Sequence, residues 1–153
     1  MIQVKTSIIQ DCFSLAPRLR EADLKELNAL SARPPVESLM SGFLYSTPCY
    51  TGVDDKGLVL GMGGCAPLNK EANTASIWFL GAEELFYHKT SFLRLSRKCL
   101  ELSSAPYDLV CNVVHADNDV HIRWLRWLGF SFLREVPDFG RNNELFYEFA
   151  RMC

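Results

Sequence analysis

The sequence predicts a mixed α/β (α+β) domain with a mostly antiparallel sheet of about seven strands, flanked by about four helices. Three observations predict it. Short β-branched or aromatic runs recur between turn signals, and they alternate with segments whose leucines return at threes and fours. No repeat, low-complexity tract or Pro/Gly-rich linker divides the 153 residues. That length suits one domain, 1–153, with a core of its own.

The elements follow in order. "MIQVKTSII" alternates loosely and reads as a first strand. From Asp11 to Leu30 the pattern is helical, with Leu19, Leu24, Leu27 and Leu30 as the apolar positions. Pro17 implies a kink there, or two short helices that meet. "SARPP" stops this stretch, and "VESLMSGFLYS" reads as a further helix. "CYTGV" and "LVLGMGGCAPL" form a hairpin about the turn "DDKG". The glycines of the returning strand mark bulges or close backbone approach, not a phosphate loop. "TASIWFLG" is the next strand, followed by a helix from about Thr90 to Ser103 with Phe92, Leu95, Cys99 and Leu102 as its stripe. Pro106 closes it. "DLVCNVVHA" has the continuous apolar run of a buried strand, and "NDVHIRWLRWLGF" supplies the last helix. "FSFLREV" and "ELFYEFARM" are the final strands, with "PDFGRNN" as their turn.

Composition excludes several classes. Apolar residues make up 48% and charged residues 22%, as in ordinary globular proteins. A net charge of −2 gives no whole-protein attraction for nucleic acid or an anionic membrane, so neither is an expected partner. No run reaches membrane-span length, and no signal-peptide core is expected. The six cysteines lack CxxC spacing and several sit in apolar runs, which points to free thiols in a reduced, cytoplasmic setting without a metal.

The order of elements and the closing motif together resemble the GNAT (Gcn5-related N-acetyltransferase) superfamily. Its last motif runs Asn, two residues, a small residue, three more, Tyr, three more, Gly-Phe. Here Asn118 opens the match and Leu128-Gly129-Phe130 end it, in register. The family's small residue falls on His121. Its tyrosine, which commonly protonates the departing coenzyme A thiolate, falls on Leu125. Within the superfamily, "NDVHIRWLRWLGF" also looks like the GNAT-like internal virion proteins of short-tailed phages. That narrower likeness implies host cytoplasm or virion as location, and other phage proteins as partners.

The resemblance implies acetyl-coenzyme A and an unidentified amine as substrates, with the pyrophosphate resting on backbone amides where the fourth strand enters its helix. The family's glycine-rich loop is missing: the segment reads "GAEELFYHKTSFLRL". His88, Lys89, Thr90, Ser91 and Phe92 form either a degenerate pyrophosphate cradle or a hydroxyl-capped helix with a solvated lysine. Asn118 is expected as an N-cap, with a role in holding pantetheine implied by the match. His121 faces either the cleft, as acid or base, or plain packing. Glu83 and Glu84 are the carboxylates expected just past the fourth strand, as general base or as solvated loop residues. Trp124 and Trp127 pack the last helix on the sheet or stack on adenine. Asp119, Arg123 and Arg126 read as a solvated cluster. Two functions remain open: an acyl-coenzyme A-dependent N-acetyltransferase with weakened chemistry, or a GNAT-fold module of virion assembly. For the latter, the aromatic segments "ELFYHKTSF" and "PDFGRNNELFYEF" offer interface anchors or core.

Overall fold

A computed structural model describes residues 1–153. The first strand is β1 (Gln3–Thr6), and helix α1 (Ile9–Leu15) follows it. Pro17 then converts the chain to a 3-10 turn over Ala16–Arg18, because proline cannot donate the next helical hydrogen bond. Helices α2 (Glu21–Leu30) and α3 (Pro35–Tyr45) come next. β2 (Cys49–Val53) and β3 (Val59–Asn69) form the expected hairpin, and β4 (Thr74–Gly81) extends it. A 3-10 segment, Glu83–His88, leads into α4 (Lys89–Ser104). β5 (Leu109–His115), α5 (Asp119–Trp127), β6 (Ser131–Phe139) and β7 (Glu144–Met152) complete the chain.

The seven strands form one sheet in the order β1-β2-β3-β4-β5-β7-β6. Every neighbouring pair is antiparallel except β4 with β5. The crossovers β4-α4-β5 and β5-α5-β6 step in the same direction along the sheet. The right-handed rule therefore puts α4 and α5 on one face. They share a core there: Leu100 of α4 with Ile122, Leu125 and Leu128 of α5, over Cys65, Ala75, Val110 and Val114. A separate core joins α1 and α3 to Cys49, Val59, Met62 and Leu80. Gly61 and Gly63 on β3 do mark a close approach, because a Cβ at Gly61 would run into the Phe79 ring and one at Gly63 into the Trp78 carbonyl.

There are five α-helices, and of the two readings of Pro17 the structure has the second: the first helical stretch is two short helices, α1 and α2. Three expectations about the elements need correction. The buried face of α2 is Asp23, Glu26 and Ala29, while Leu24 and Leu30 are exposed. Leu102 likewise lies outside the stripe of α4; the buried positions are Ser96, Leu100, Ser103 and Ser104. β6 runs through Pro137 to Phe139, so the final turn is shorter than "PDFGRNN". No helix is long and apolar enough to cross a membrane. All six cysteines are unpaired.

Candidate active site

The site begins where the parallel pair stops. β4 and β5 are in register only over Thr74↔Leu109, Ala75↔Val110 and Ser76↔Cys111. At the next step the Asn112 side chain, Nδ2, donates to the Ile77 carbonyl at 2.7 Å in place of a backbone partner. Beyond it the two strands part. Their far ends are tied instead to α2: the Gly81 N–H donates to Asp23 Oδ2 at 2.9 Å, and the His115 N–H donates to Glu26 Oε1 at 2.6 Å. Asp23 and Glu26 are three residues apart, hence on one helical face. Buried backbone N–H groups must find acceptors, which is why α2 turns two acids inward.

A continuous cavity of about 210 Å³ occupies the gap between the parted strands. Glu26 and Leu27 of α2 line it, as do Ile77 and Phe79 of β4, Asn112 of β5, and His121, Trp124 and Leu125 of α5. Burial is the main force raising the Glu26 carboxyl, to about 7, and the nearby Asp23 adds to it. The His115 N–H, Asn118 and the His115 ring work against the rise. His121 is driven the other way, to about 4, chiefly by burial, so its ring is neutral at pH 7. Its Nδ1 is buried without a hydrogen-bond partner, whereas the buried Asn118 amide faces the Glu26 carboxyl. A buried polar atom left unpaired is costly, and at the cavity wall the His121 nitrogen can take a partner from a ligand. Arg20 and Asp23 form a two-point buried pair at 2.7 and 3.1 Å. His115 accepts the Asp117 N–H at Nδ1, which leaves its Nε2–H to donate to Glu144 Oε1 at 2.8 Å.

A second, outer cleft of about 390 Å³ adjoins the cavity, sharing Leu85, Phe92 and Trp124 with it. Arg20, Lys89 and Arg123 line this cleft together with Phe86, Trp127 and no carboxylate. Phe79, Phe92 and Trp124 pack as a trio at 5.1–5.4 Å between ring centres, and Trp124 Nε1 donates to Ser96 Oγ at 3.2 Å. The cleft suits a ligand that is anionic at one end and flat or apolar at the other. No side chain caps the N-terminus of α4, which continues directly from the 3-10 segment. No group of three or more His, Cys, Asp or Glu residues is placed to hold a metal ion.

The structure distributes the sequence candidates as follows. Lys89 and Phe92 line the cleft, and His121 lines the cavity. His88 is the N-cap of α4, while Thr90 and Ser91 fall inside its first turn and provide no hydroxyl cap, because the 3-10 segment feeds the chain into the helix earlier than expected. Asn118 holds the N-cap position through its backbone, accepting the Ile122 N–H, but its side chain makes no cap bond and turns inward. Glu83 and Glu84 are both engaged away from the cavity. Glu83 accepts the Glu21 N–H at 3.0 Å, and Glu84 pairs with Arg18 at 3.3 Å. Trp124 packs on β4 as expected, whereas Trp127 is 43% exposed beneath Arg97 at 4.2 Å. Asp119, Arg123 and Arg126 are exposed to solvent; Arg123 also borders the cleft, and Arg126 lies over Phe132 at 5.0 Å. Phe86 is exposed at the cleft rim, while Phe139 packs against the fully buried Phe146. Sequence reasoning missed Glu26, Asp23 and Arg20. The only signal was the i, i+3 pair of acids inside "EADLKELNAL", and the leucines of that segment pointed to the opposite face.

No protein-family model and no curated protein matches this sequence. Solved structures match over nearly the whole chain. A GCN5-related N-acetyltransferase from Kribbella flavida is 20% identical, with 99% of this chain and 98% of that one covered, at a TM-score of 0.74. Ard1 from Thermoplasma volcanium is 18% identical over 99% and 97%, at 0.73. A GNAT superfamily phosphinothricin acetyltransferase from Sinorhizobium meliloti, solved in complex with AcCoA, is 16% identical over 99% and 88%, at 0.77. At these identities the likeness establishes the GNAT fold. It lends no support to the narrower phage subgroup.

Proposed function

We propose that the chain is an acyl-coenzyme A-dependent N-acyltransferase, with acetyl-coenzyme A as the simplest donor and an amine as acceptor. One observation carries this reading: a cavity opens where β4 and β5 part, with a titratable carboxyl on its α2 side and a cationic cleft adjoining it. The cleft supplies Lys89 and Arg123 to the phosphates of the coenzyme, and the N-terminus of α4 adds its amides. His121 Nδ1 meets a polar group of the thioester-bearing arm.

In the transfer, the amine nitrogen attacks the thioester carbonyl carbon. The N–C bond forms as the C–S bond breaks, and the nitrogen's proton passes to Glu26. Leu125 stands where a phenol is expected and carries no proton, so Glu26 returns that proton to the sulfur. A carboxyl titrating near 7 is populated in both forms at neutral pH, which suits one group to both tasks. Holding the two reactants across the gap contributes the rest, by orientation.

Calorimetric titration with acetyl-coenzyme A tests the reading. Binding is expected, and Lys89→Glu or Arg123→Glu should weaken it about tenfold or more at low salt, since each replaces an attraction with a repulsion. With a panel of amines, thiol release should fall by roughly 10²–10⁴-fold in Glu26→Gln. Absence of binding in the wild type refutes the enzyme. It would favour the second reading, a non-enzymatic interaction module on the same fold, for which the buried Leu125 in the tyrosine register is the supporting observation.

A further inference from the structure

The cavity does not end at Glu26 and His121. It continues past Leu125 between α4 and α5, walled by Leu95, Cys99, Leu100, Ser103 and Leu128. Of the 29 residues that line the whole cavity, 20 are hydrophobic, and Glu26 is the only acid or base besides His121 among the rest. A two-carbon acetyl group leaves most of this arm empty. Protein interiors are close-packed, and unfilled apolar space forfeits contacts on every wall. Leu125 removes the one polar group that the tyrosine register would have brought to the entrance of the arm.

Resting on the acyltransfer reading, we propose that the acyl group this protein handles is a medium-length chain whose tail lies in the apolar arm between α4 and α5. The size fits. A dry apolar cavity of about 150 Å³ takes up a six-carbon ring; the whole cavity, of which the arm is one part and the carbonyl end at the gap another, measures about 210 Å³. Glu26 and His121 stay with the carbonyl end, at the gap between β4 and β5, while the methylene chain meets leucines, phenylalanines, a thiol and two small hydroxyls, and no charged group. The departure at position 125 thereby acquires a role in choosing the donor.

The test is a parallel titration of the full chain with coenzyme A, acetyl-coenzyme A and hexanoyl-coenzyme A. Each methylene moved from water to an apolar site contributes a factor of about four. Hexanoyl carries four more than acetyl, so a gain of at least about tenfold is expected even from a partly seated tail. Equal affinity for the two thioesters, within about threefold, overturns the chain-length proposal and leaves the acyltransfer reading standing. If none of the three binds, both fall. Ser103→Leu fills the inner end of the arm and should bring the hexanoyl-to-acetyl ratio toward one; Cys99→Met serves the same purpose should the first variant not fold. A ratio that persists in a folded variant places the tail elsewhere and refutes the proposal.

Discussion

Glu26→Gln should reveal two opposed ionisations at the centre of the protein. Glu26 is raised from an ordinary 4.5 to about 7, and His121 is lowered from 6.5 to about 4, both chiefly by burial. Between pH 4.5 and 7 the folded state keeps the Glu26 proton that the unfolded chain releases. Stability from this group is therefore full below 4.5 and lost as pH rises through 7. His121 runs the other way: the unfolded chain binds a proton below 6.5 that the folded state refuses until about 4, so stability is lost as pH falls across that window. Each change corresponds to on the order of 3 kcal/mol, and over the shared window the two nearly cancel. In Glu26→Gln the amide oxygen still accepts the His115 N–H, but the carboxyl's contribution is gone. Urea unfolding at a series of pH values should place the variant close to wild type at pH 4.5. At pH 8 the variant should be more stable by up to about 3 kcal/mol. The difference between the two proteins is the quantity to follow, because it removes the titration of all other groups. A pH-independent difference would show that Glu26 titrates normally, and the base assigned to it in the transfer step would lose its physical basis.

Three further outcomes concern the frame around the site. Asp23→Ala should cost about 3–5 kcal/mol, because it strands the buried Arg20 guanidinium and the Gly81 N–H together. Lys25→Ala, which breaks the exposed pair with Asp117, should cost less than about 1 kcal/mol in the same denaturation assay. Gly140→Ala should lift the β6–β7 turn off α2. Gly140 has φ +72, its added Cβ would collide with the Ala29 carbonyl, and Arg141 N and Nε hold that turn to Ala29 O and Asn28 O at 3.0 and 2.6 Å. Amide exchange at Arg141 should speed up, while exchange at the centre of β3 stays slow; unchanged exchange at Arg141 would show that the turn absorbs the methyl group.

The sequence by itself determined the order of elements, because each depends on neighbours within a few residues. "DDKG" turns the β2–β3 hairpin, Pro17 breaks the first helix, and "DLVCNVVHA" has the continuous apolar run of a buried strand. It also determined the two departures, His121 and Leu125, since register along a helix is a local property. What it did not determine was which groups share the cavity. Glu26 looks like a solvated acid between leucines in "KELNAL"; it is buried only because β5 ends against α2 and leaves the His115 N–H needing an acceptor. Glu83 and Glu84 sit at the expected end of β4, yet the α2 N-terminus and Arg18 claim both. Lys89 and Arg123 are 34 residues apart and meet because two right-handed crossovers lay α4 beside α5. Local periodicity records which face of an element is apolar. Which acid is forced inside depends on backbone groups opened by the parting of two strands, and only the tertiary structure brings those groups together.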